Sequence, residues 1–436
     1  MSRKFCLVGF WGLGWALDKR NIEAGDTIVI ARKPDPEEEY SEEELEQFWS
    51  VGKGLVKRVF NLDDIMRNRK NMKDWYFVWD SNMYPEENET LRKEGFKVCL
   101  GGDVPFKMED DRMFGIDLAE SVGLKSPMWK ECKTPEEGIE YLEANPDKAF
   151  VFKPEGGDSY LTTVPVIADA KKANEEMRVF IQSVNIENFF ILQERVAGTE
   201  VNVEFMCMDG EPVTAQISLE AKRISSDDKG CLCGCAFDTC RDVPMDCKLV
   251  TETVGRFKDF IGDNHWTGFF DCNVIIGEDG TIWFVEFCGR LGYAEHPNFF
   301  WNICEKDMLN TMADLHDGTF KAKQKQVWGA AITGHVDHPH KGIPIVVPKE
   351  QEKNVYYYDG MKEEGKGIIV ETGFNKELFI IMGKGQGIKE SMEDALENIN
   401  ECHGTINLDY RADGARDNFK SSPIRRENFL VKWGWI

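Results

Sequence analysis

The sequence predicts a protein of mixed class, α/β and α+β. An N-terminal domain on a parallel sheet is followed by a central domain that delivers the chemistry and a C-terminal domain rich in strands. Three observations predict it. Short apolar strands alternate with helices up to about residue 103, the pattern of a parallel sheet with helical crossovers. A hairpin pattern starting at residue 268 carries one carboxylate and one guanidinium, Glu286 and Arg290, four residues apart. From residue 328 onward strands dominate, with the helix Ile388–Asn400 near the end.

The elements follow in order. Residues 4–10 read as a buried strand, then the turn Gly9-Phe10-Trp11-Gly12-Leu13-Gly14 and a helix. The glycine spacing is not G-x-G-x-x-G, so no dinucleotide site is expected. A second strand covers 26–31, and the acidic run 36–46 reads as the start of a solvated helix. A helix over 62–71, a strand over 75–79, a helix over 86–94 and a strand over 97–100 complete a domain of residues 1–103. The central domain, 104–327, opens with a helix over 109–123 that Gly123 stops. Helix Pro135–Ala144, strand 149–153, a glycine turn, helix 168–183 and strand 189–196 form a subdomain over about 127–198. Strands 200–208 and 212–219 turn at Asp209-Gly210. A cysteine-rich loop, a helix over 247–261, the hairpin and a helix over 305–316 close this domain. The C-terminal domain is 328–413, and the tail 414–436, polar and then aromatic, fits no element.

Composition narrows the function. A length of 436 residues suggests about three domains. A net charge of −24 argues against binding a nucleic-acid backbone, which needs a basic face, and against an anionic membrane surface. It permits a small anionic substrate held in a local Lys/Arg pocket. No apolar run reaches the length of a membrane span, and the start runs directly into a strand, unlike a signal peptide. Thirteen scattered cysteines, several in apolar strands (Cys6, Cys99, Cys207, Cys272), fit reduced thiols in a cytoplasmic protein. The series Cys231, Cys233, Cys235, Cys240 and Cys247 matches no zinc or iron–sulfur spacing. His335, His338 and His340 read as solvated loop residues.

The chemistry concentrates at three places. In the hairpin, Glu286 on one strand and Asp271 and Asn273 on the other can hold oxygen ligands over one spot, which suits Mg²⁺, and Arg290 can grip a phosphate. Lys153 ends a strand and enters the turn containing Gly156 and Gly157. There an ammonium can reach phosphate oxygens while backbone N–H groups cradle them. In Gln193-Glu194-Arg195-Val196-Ala197-Gly198-Thr199-Glu200 a strand breaks at a glycine turn. Its backbone edge at Glu194–Val196 can read an adenine, and Glu200 can accept from ribose hydroxyls.

This order of features resembles the ATP-grasp fold, and the chain resembles the phosphoribosylamine–glycine ligases along nearly its whole length. Met108-Glu109-Asp110-Asp111-Arg112-Met113-Phe114 is similar to that family's LExxKxF segment, and Glu220-Ala221-Lys222-Arg223 to its DHKR. Glu286-Phe287-Cys288-Gly289-Arg290-Leu291-Gly292-Tyr293-Ala294-Glu295 is similar to EFNxRFGDPE, and Tyr410-Arg411-Ala412-Asp413 to the closing YRxD. The resemblance implies a pre-ATP-grasp domain over 1–103 and an ATP-grasp domain over 104–327 with its lid at 127–198. It implies an ADP-forming ligase that joins a glycine-like carboxylate to an amine through an acyl phosphate, using ATP with Mg²⁺ or Mn²⁺, as a monomer or homodimer. Nucleotide contacts would come from Arg112, Lys153, Gly156, Gly157, Gln193, Glu194, Val196 and Glu200. Metal ligation would come from Glu286, Asn273 and Asp271, and catalytic contacts from Arg290, Lys222 and Glu295.

The departures lie on the substrate side. Cys288 replaces an Asn, and thiolate is a poor ligand for Mg²⁺. Three cysteines, Cys231, Cys233 and Cys235, replace an Asn-Thr-Gly-Gly loop. The turn at Gly9 carries Phe10, Trp11 and Trp15 where the family keeps Gly, Arg and His. These aromatics are expected to narrow the acceptor pocket and favour stacking over a phosphate. The expectation is therefore an amine acceptor other than phosphoribosylamine. A true phosphoribosylamine–glycine ligase and a non-catalytic nucleotide binder are the alternatives.

Overall fold

The computed structural model describes all residues except 1, 36–37, 155–160, 166, 168, 186–188, 364 and 366. The chain divides into two compact units. The first comprises Met1–Phe106, Asn202–Asp271 and Cys288–Ile436, and the second Lys107–Val201 and Cys272–Phe287.

In the first unit, β1 (Lys4–Val8), β2 (Thr27–Arg32), β3 (Val59–Asn61), β4 (Tyr76–Trp79) and β5 (Lys97–Cys99) form the expected parallel sheet in the order β3-β2-β1-β4-β5. Its central strands are unbroken apolar runs because helices cover both faces of such a sheet. The acidic run becomes helix Glu42–Ser50, started by a capping box: Ser41 Oγ accepts from the Glu44 N–H, and the Glu44 carboxylate accepts from the Ser41 N–H at 2.8 Å. The helix expected over 62–71 ends at Asn68 and tightens into a 3₁₀ turn, Arg69–Met72.

Five strands of a larger antiparallel sheet lie in the same unit, in the order Glu211–Ser218, Lys229–Val243, Trp328–His335, Glu377–Gly385, Val355–Tyr357. The cysteine-rich segment is thus a strand and not the expected loop. Its Cys-x-Cys-x-Cys spacing has the period of two that a strand imposes. The helix expected over 247–261 is three short pieces, Lys248–Glu252, Val254–Phe257 and Lys258–Asp263. Thr253 leaves helical geometry, and Gly255 lies so close to the Val250 carbonyl that a Cβ there would meet it at 2.8 Å. The tail contains helix Pro423–Lys432, with Ser422 as cap and proline in the first turn, and it buries Leu430 and Trp435.

In the second unit, Trp129–Cys132, Phe190–Glu194 and Phe150–Pro154 form an antiparallel sheet with Phe190–Glu194 in the middle. Helices Pro135–Ala144 and Ala170–Ser183 add Leu142, Met177 and Ile181 to a core of Phe150, Phe152, Phe190 and Leu192. The helix expected over 109–123 is interrupted at Asp111, whose side chain accepts from the Phe114 N–H at 2.9 Å and starts a separate helix, Arg112–Ser121. The hairpin is formed as read: Gly268–Ile276 pairs with Ile282–Glu286 around a turn in which Asp279 accepts from Thr281.

Candidate active site

The second unit gathers one group of the expected residues. In the hairpin, Val274 pairs with Phe284, but Asn273 pairs with Glu286, so Val285 is an extra residue on its strand. Such a bulge frees a backbone group and re-aims the neighbouring side chains. Here the Val285 carbonyl accepts from Lys153 Nζ at 3.4 Å. Asn273 Nδ2 donates to Glu200 Oε1 at 3.1 Å. Asn273 is only 5% exposed, and its Oδ1 is buried without a hydrogen-bond partner. An orphaned amide oxygen beside the Glu200 carboxylate, with Glu286 as the register partner across the hairpin, is a hard-oxygen donor set that fits Mg²⁺ or Mn²⁺.

Lys153 is 8% exposed at the end of its strand. Arg112 Nε donates to the Pro154 carbonyl at 3.2 Å and so anchors the strand end that enters the glycine turn. Gly156 and Gly157 lie outside the described residues.

At the hinge, Gln193 is buried in the middle strand. The Glu194 carboxylate is taken by Lys148 at 2.7 Å. The Glu194 N–H donates to Met128 O and the Arg195 N–H to Ala149 O, both at 2.7 Å. Two N–H groups of the backbone edge expected at Glu194–Val196 are therefore already paired within the protein. Gly198 is held against the hairpin: a Cβ there would come within 2.4 Å of the Ile276 carbonyl. That contact delivers Glu200 to Asn273.

The first unit holds the others. The Asp271 carboxylate accepts from the Cys288 N–H and so fixes the chain just after Glu286. The Arg290 guanidinium lies 5.4 Å from the Tyr293 ring centroid, and its Nη1 donates to Leu291 O at 3.1 Å. Lys222 lies 3.9 Å from Glu220. Glu295 is buried and accepts from Asn202 Nδ2 at 3.0 and 2.9 Å. Burial, and then the nearby carboxylates of Glu204, Asp238, Glu220 and Asp271, push its pKa well above the usual carboxylate range.

Sequence reasoning missed Asn202, Glu204 and His296 around Glu295. The signal was present: in Val201-Asn202-Val203-Glu204-Phe205 a buried strand alternates apolar and polar residues, which puts Asn202 and Glu204 on one inward face. Glu204, Glu295 and His296 offer three ligand atoms within 4.8 Å of one another. They do not suit a metal. The Gly292 N–H donates to His296 Nδ1 at 2.6 Å, so the ring's Nε2, 3.3 Å from Glu204 Oε1, carries a proton and cannot ligate. Through the Gly292 N–H, His296 instead holds the segment that follows Arg290.

The aromatic turn also differs from expectation. Trp15 is a core residue packed on Tyr356 and Phe300, because the helix Gly12–Leu17 turns it inward. Phe10 packs on Phe48 and Tyr84. Of the three, Trp11 lies beside the segment that carries Arg290, 5.1 Å from Tyr293.

No protein-family model matches the chain. By sequence it is 26% identical over 291 residues to a phosphoribosylamine–glycine ligase of Methanocella arvoryzae. That match spans 62% of this chain and 63% of the relative, under two thirds of the relative's length. By fold it is similar to the phosphoribosylamine–glycine ligase of Thermotoga maritima, with a TM-score of 0.63 over 94% of this chain and 99% of that one, at 16% identity. The chain has the ATP-grasp fold. Other ATP-grasp structures agree. A biotin carboxylase–ATP complex from Campylobacter jejuni gives a TM-score of 0.64 at 10% identity over 91% of each chain. The N5-carboxyaminoimidazole synthetase of Staphylococcus aureus with ADP gives 0.57 at 13% identity over 92% of this chain and 98% of that one. No helix among the described residues is long and apolar enough to cross a membrane.

Proposed function

We propose that this protein is an ATP-dependent, ADP-forming carboxylate–amine ligase that activates a small amino acid such as glycine as an acyl phosphate. The observation that carries this reading is the buried, partnerless Asn273 Oδ1 set opposite Glu286 and beside Glu200. A site that bound nucleotide without turning it over would not need such a metal donor set. Glu286, Asn273 and Glu200 would hold Mg²⁺ or Mn²⁺, which supplies charge neutralisation on the phosphates. Lys153 would neutralise phosphate oxygens, with Arg112 holding its strand end, and Val196 would meet the adenine. Arg290 is assigned to the transferring phosphoryl group by its place in the Glu286-x₃-Arg290 motif. The acid's carboxylate oxygen takes the γ-phosphoryl group of ATP and ADP departs. The amine nitrogen then attacks the acyl carbon and inorganic phosphate leaves, so these side chains contribute mainly position and electrostatics.

Hydroxylamine trapping tests this without knowledge of the natural amine. Incubation with ATP, Mg²⁺ and candidate amino acids in hydroxylamine is expected to yield a hydroxamate and ADP in equal amounts. Tight ATP binding with no hydroxamate from any small carboxylate would return the protein to a non-catalytic binder.

A further inference from the structure

We propose that the amine acceptor carries no phosphate group: Asp80 fills the anion-binding turn of the parallel sheet, and Trp11 with Tyr293 offers an aromatic wall beside it. The proposal rests on the ligase reading above and names its acceptor class.

In a doubly wound sheet, ligands enter the crevice at the carboxyl ends of the strands where the strand order reverses. In the order β3-β2-β1-β4-β5 that place lies between β1 and β4. The chain leaves β1 through Gly9, whose φ of +136° is open to glycine. Backbone N–H groups of such a turn commonly hold a phosphate. Here a carboxylate of the protein itself holds them. Asp80, the residue after β4, accepts from the Trp11 N–H through Oδ2 at 2.8 Å. The carboxylate lies directly over Gly9, so that a Cβ at that position would come within 1.7 Å of Asp80 Oδ1. Asp80 is 1% exposed. The glycine thus makes room for an internal acid, and an arriving phosphate would find both the space and the donors taken. Burial pushes the Asp80 pKa up to about 7, with the Trp11 N–H, Ser81, the Phe10 N–H and Arg32 acting against it. Near neutral pH the group is therefore partly anionic and would also repel a phosphate.

What stands beside the turn is aromatic. The half-buried Trp11 ring packs edge-on to Tyr293 at 5.1 Å and to Tyr358 at 5.4 Å. The Tyr358 hydroxyl donates to the Tyr293 carbonyl at 2.7 Å and fixes that wall. The Arg290 guanidinium also lies beside the Tyr293 ring. A wall of this kind suits an amine with a flat or apolar body.

Calorimetry on the full-length protein tests the proposal, with the nucleotide site filled by a non-hydrolysable ATP analogue and Mg²⁺. The probes are tryptamine, ethanolamine and O-phosphoethanolamine. Wild-type protein is expected to bind tryptamine at least tenfold more tightly than O-phosphoethanolamine. Asp80→Gly, which empties the turn, is expected to gain at least tenfold for O-phosphoethanolamine with ethanolamine unchanged. Asp80→Asn keeps the shape and fold and is expected to gain less, because its amide oxygen still accepts from Trp11. Trp11→Ala is expected to lose at least fivefold for tryptamine at unchanged nucleotide affinity. Tight binding of the phosphorylated amine by wild type, or no gain in either Asp80 variant, overturns the proposal. Failure of the ATP analogue to bind would instead remove the ligase reading.

Discussion

On the proposed reading Lys153 and Glu286 carry separable tasks, and single substitutions separate them. Lys153→Ala would remove the proposed charge-assisted phosphate contact and is expected to weaken ATP binding by at least about tenfold, from a contact worth roughly 1.5–3 kcal/mol. Calorimetry reads this directly, and an unchanged affinity would remove Lys153 from the site. Glu286→Gln keeps the size and much of the hydrogen bonding opposite Asn273 but loses the charge that would hold a metal. ADP release is expected to fall by orders of magnitude while Tm barely moves. Full turnover at limiting Mg²⁺ would sink that assignment. Glu295 makes a pH prediction. Its pKa is raised in the folded state, first by burial and then by Glu204, Asp238, Glu220 and Asp271, with His296 and Asn202 as its other polar surroundings. A raised carboxyl costs no stability below its unfolded pKa. Above it the unfolded chain releases a proton that the folded chain keeps, so stability falls as pH rises toward the folded pKa. Glu295→Gln removes this slope. Its Tm relative to wild type is therefore expected to be higher at pH 8 than at pH 5, and equal differences at the two values would contradict the burial argument.

At the scale of elements, the hairpin and the hinge form one device. Gly198 lies against the hairpin backbone at Ile276, and Glu200 two residues on meets Asn273. Gly198→Ala would drive a methyl group into the Ile276 carbonyl. The expected cost is about 1–3 kcal/mol of stability, typical of overpacking, together with weaker ATP binding. Urea denaturation and calorimetry check the two parts, and a neutral result in both would separate hinge from hairpin. The hairpin was legible in the sequence because Asp279-Gly280 marks its turn and its flanks are apolar. The bulge at Val285 was not, because register depends on the partner strand. The cysteine strand and the broken helix at Thr253 were misread for related reasons. An alternating run of small thiols resembles a loop until a neighbouring strand pairs with it, and a helical period hides a close approach at Gly255.

At the scale of the whole molecule, the closing Tyr-Arg-x-Asp motif acts as a rivet within the first unit. Arg411 is fully buried, pairs with Asp413 at 2.7 Å and Asp228 at 2.8 Å, and lies between the rings of Phe237 and Phe419. Arg411→Met would leave the buried Asp413 carboxylate without its cation and is expected to cost about 3–5 kcal/mol in urea unfolding. A loss below 1 kcal/mol would show that the pair is relaxed by water. By itself the sequence determined the class of fold, the parallel N-terminal sheet, the hairpin with Glu286 and Asn273, and the order of the candidate phosphate-binding residues. Those features are written in local period and spacing, which a single chain displays. Tertiary structure alone decided that Asp80 closes the turn at Gly9, that Trp15 belongs to the core while Trp11 does not, and that His296 serves the Arg290 turn. Asp80 and Gly9 are 71 positions apart in sequence, and only the adjacency of two parallel strands brings a carboxylate onto those N–H groups.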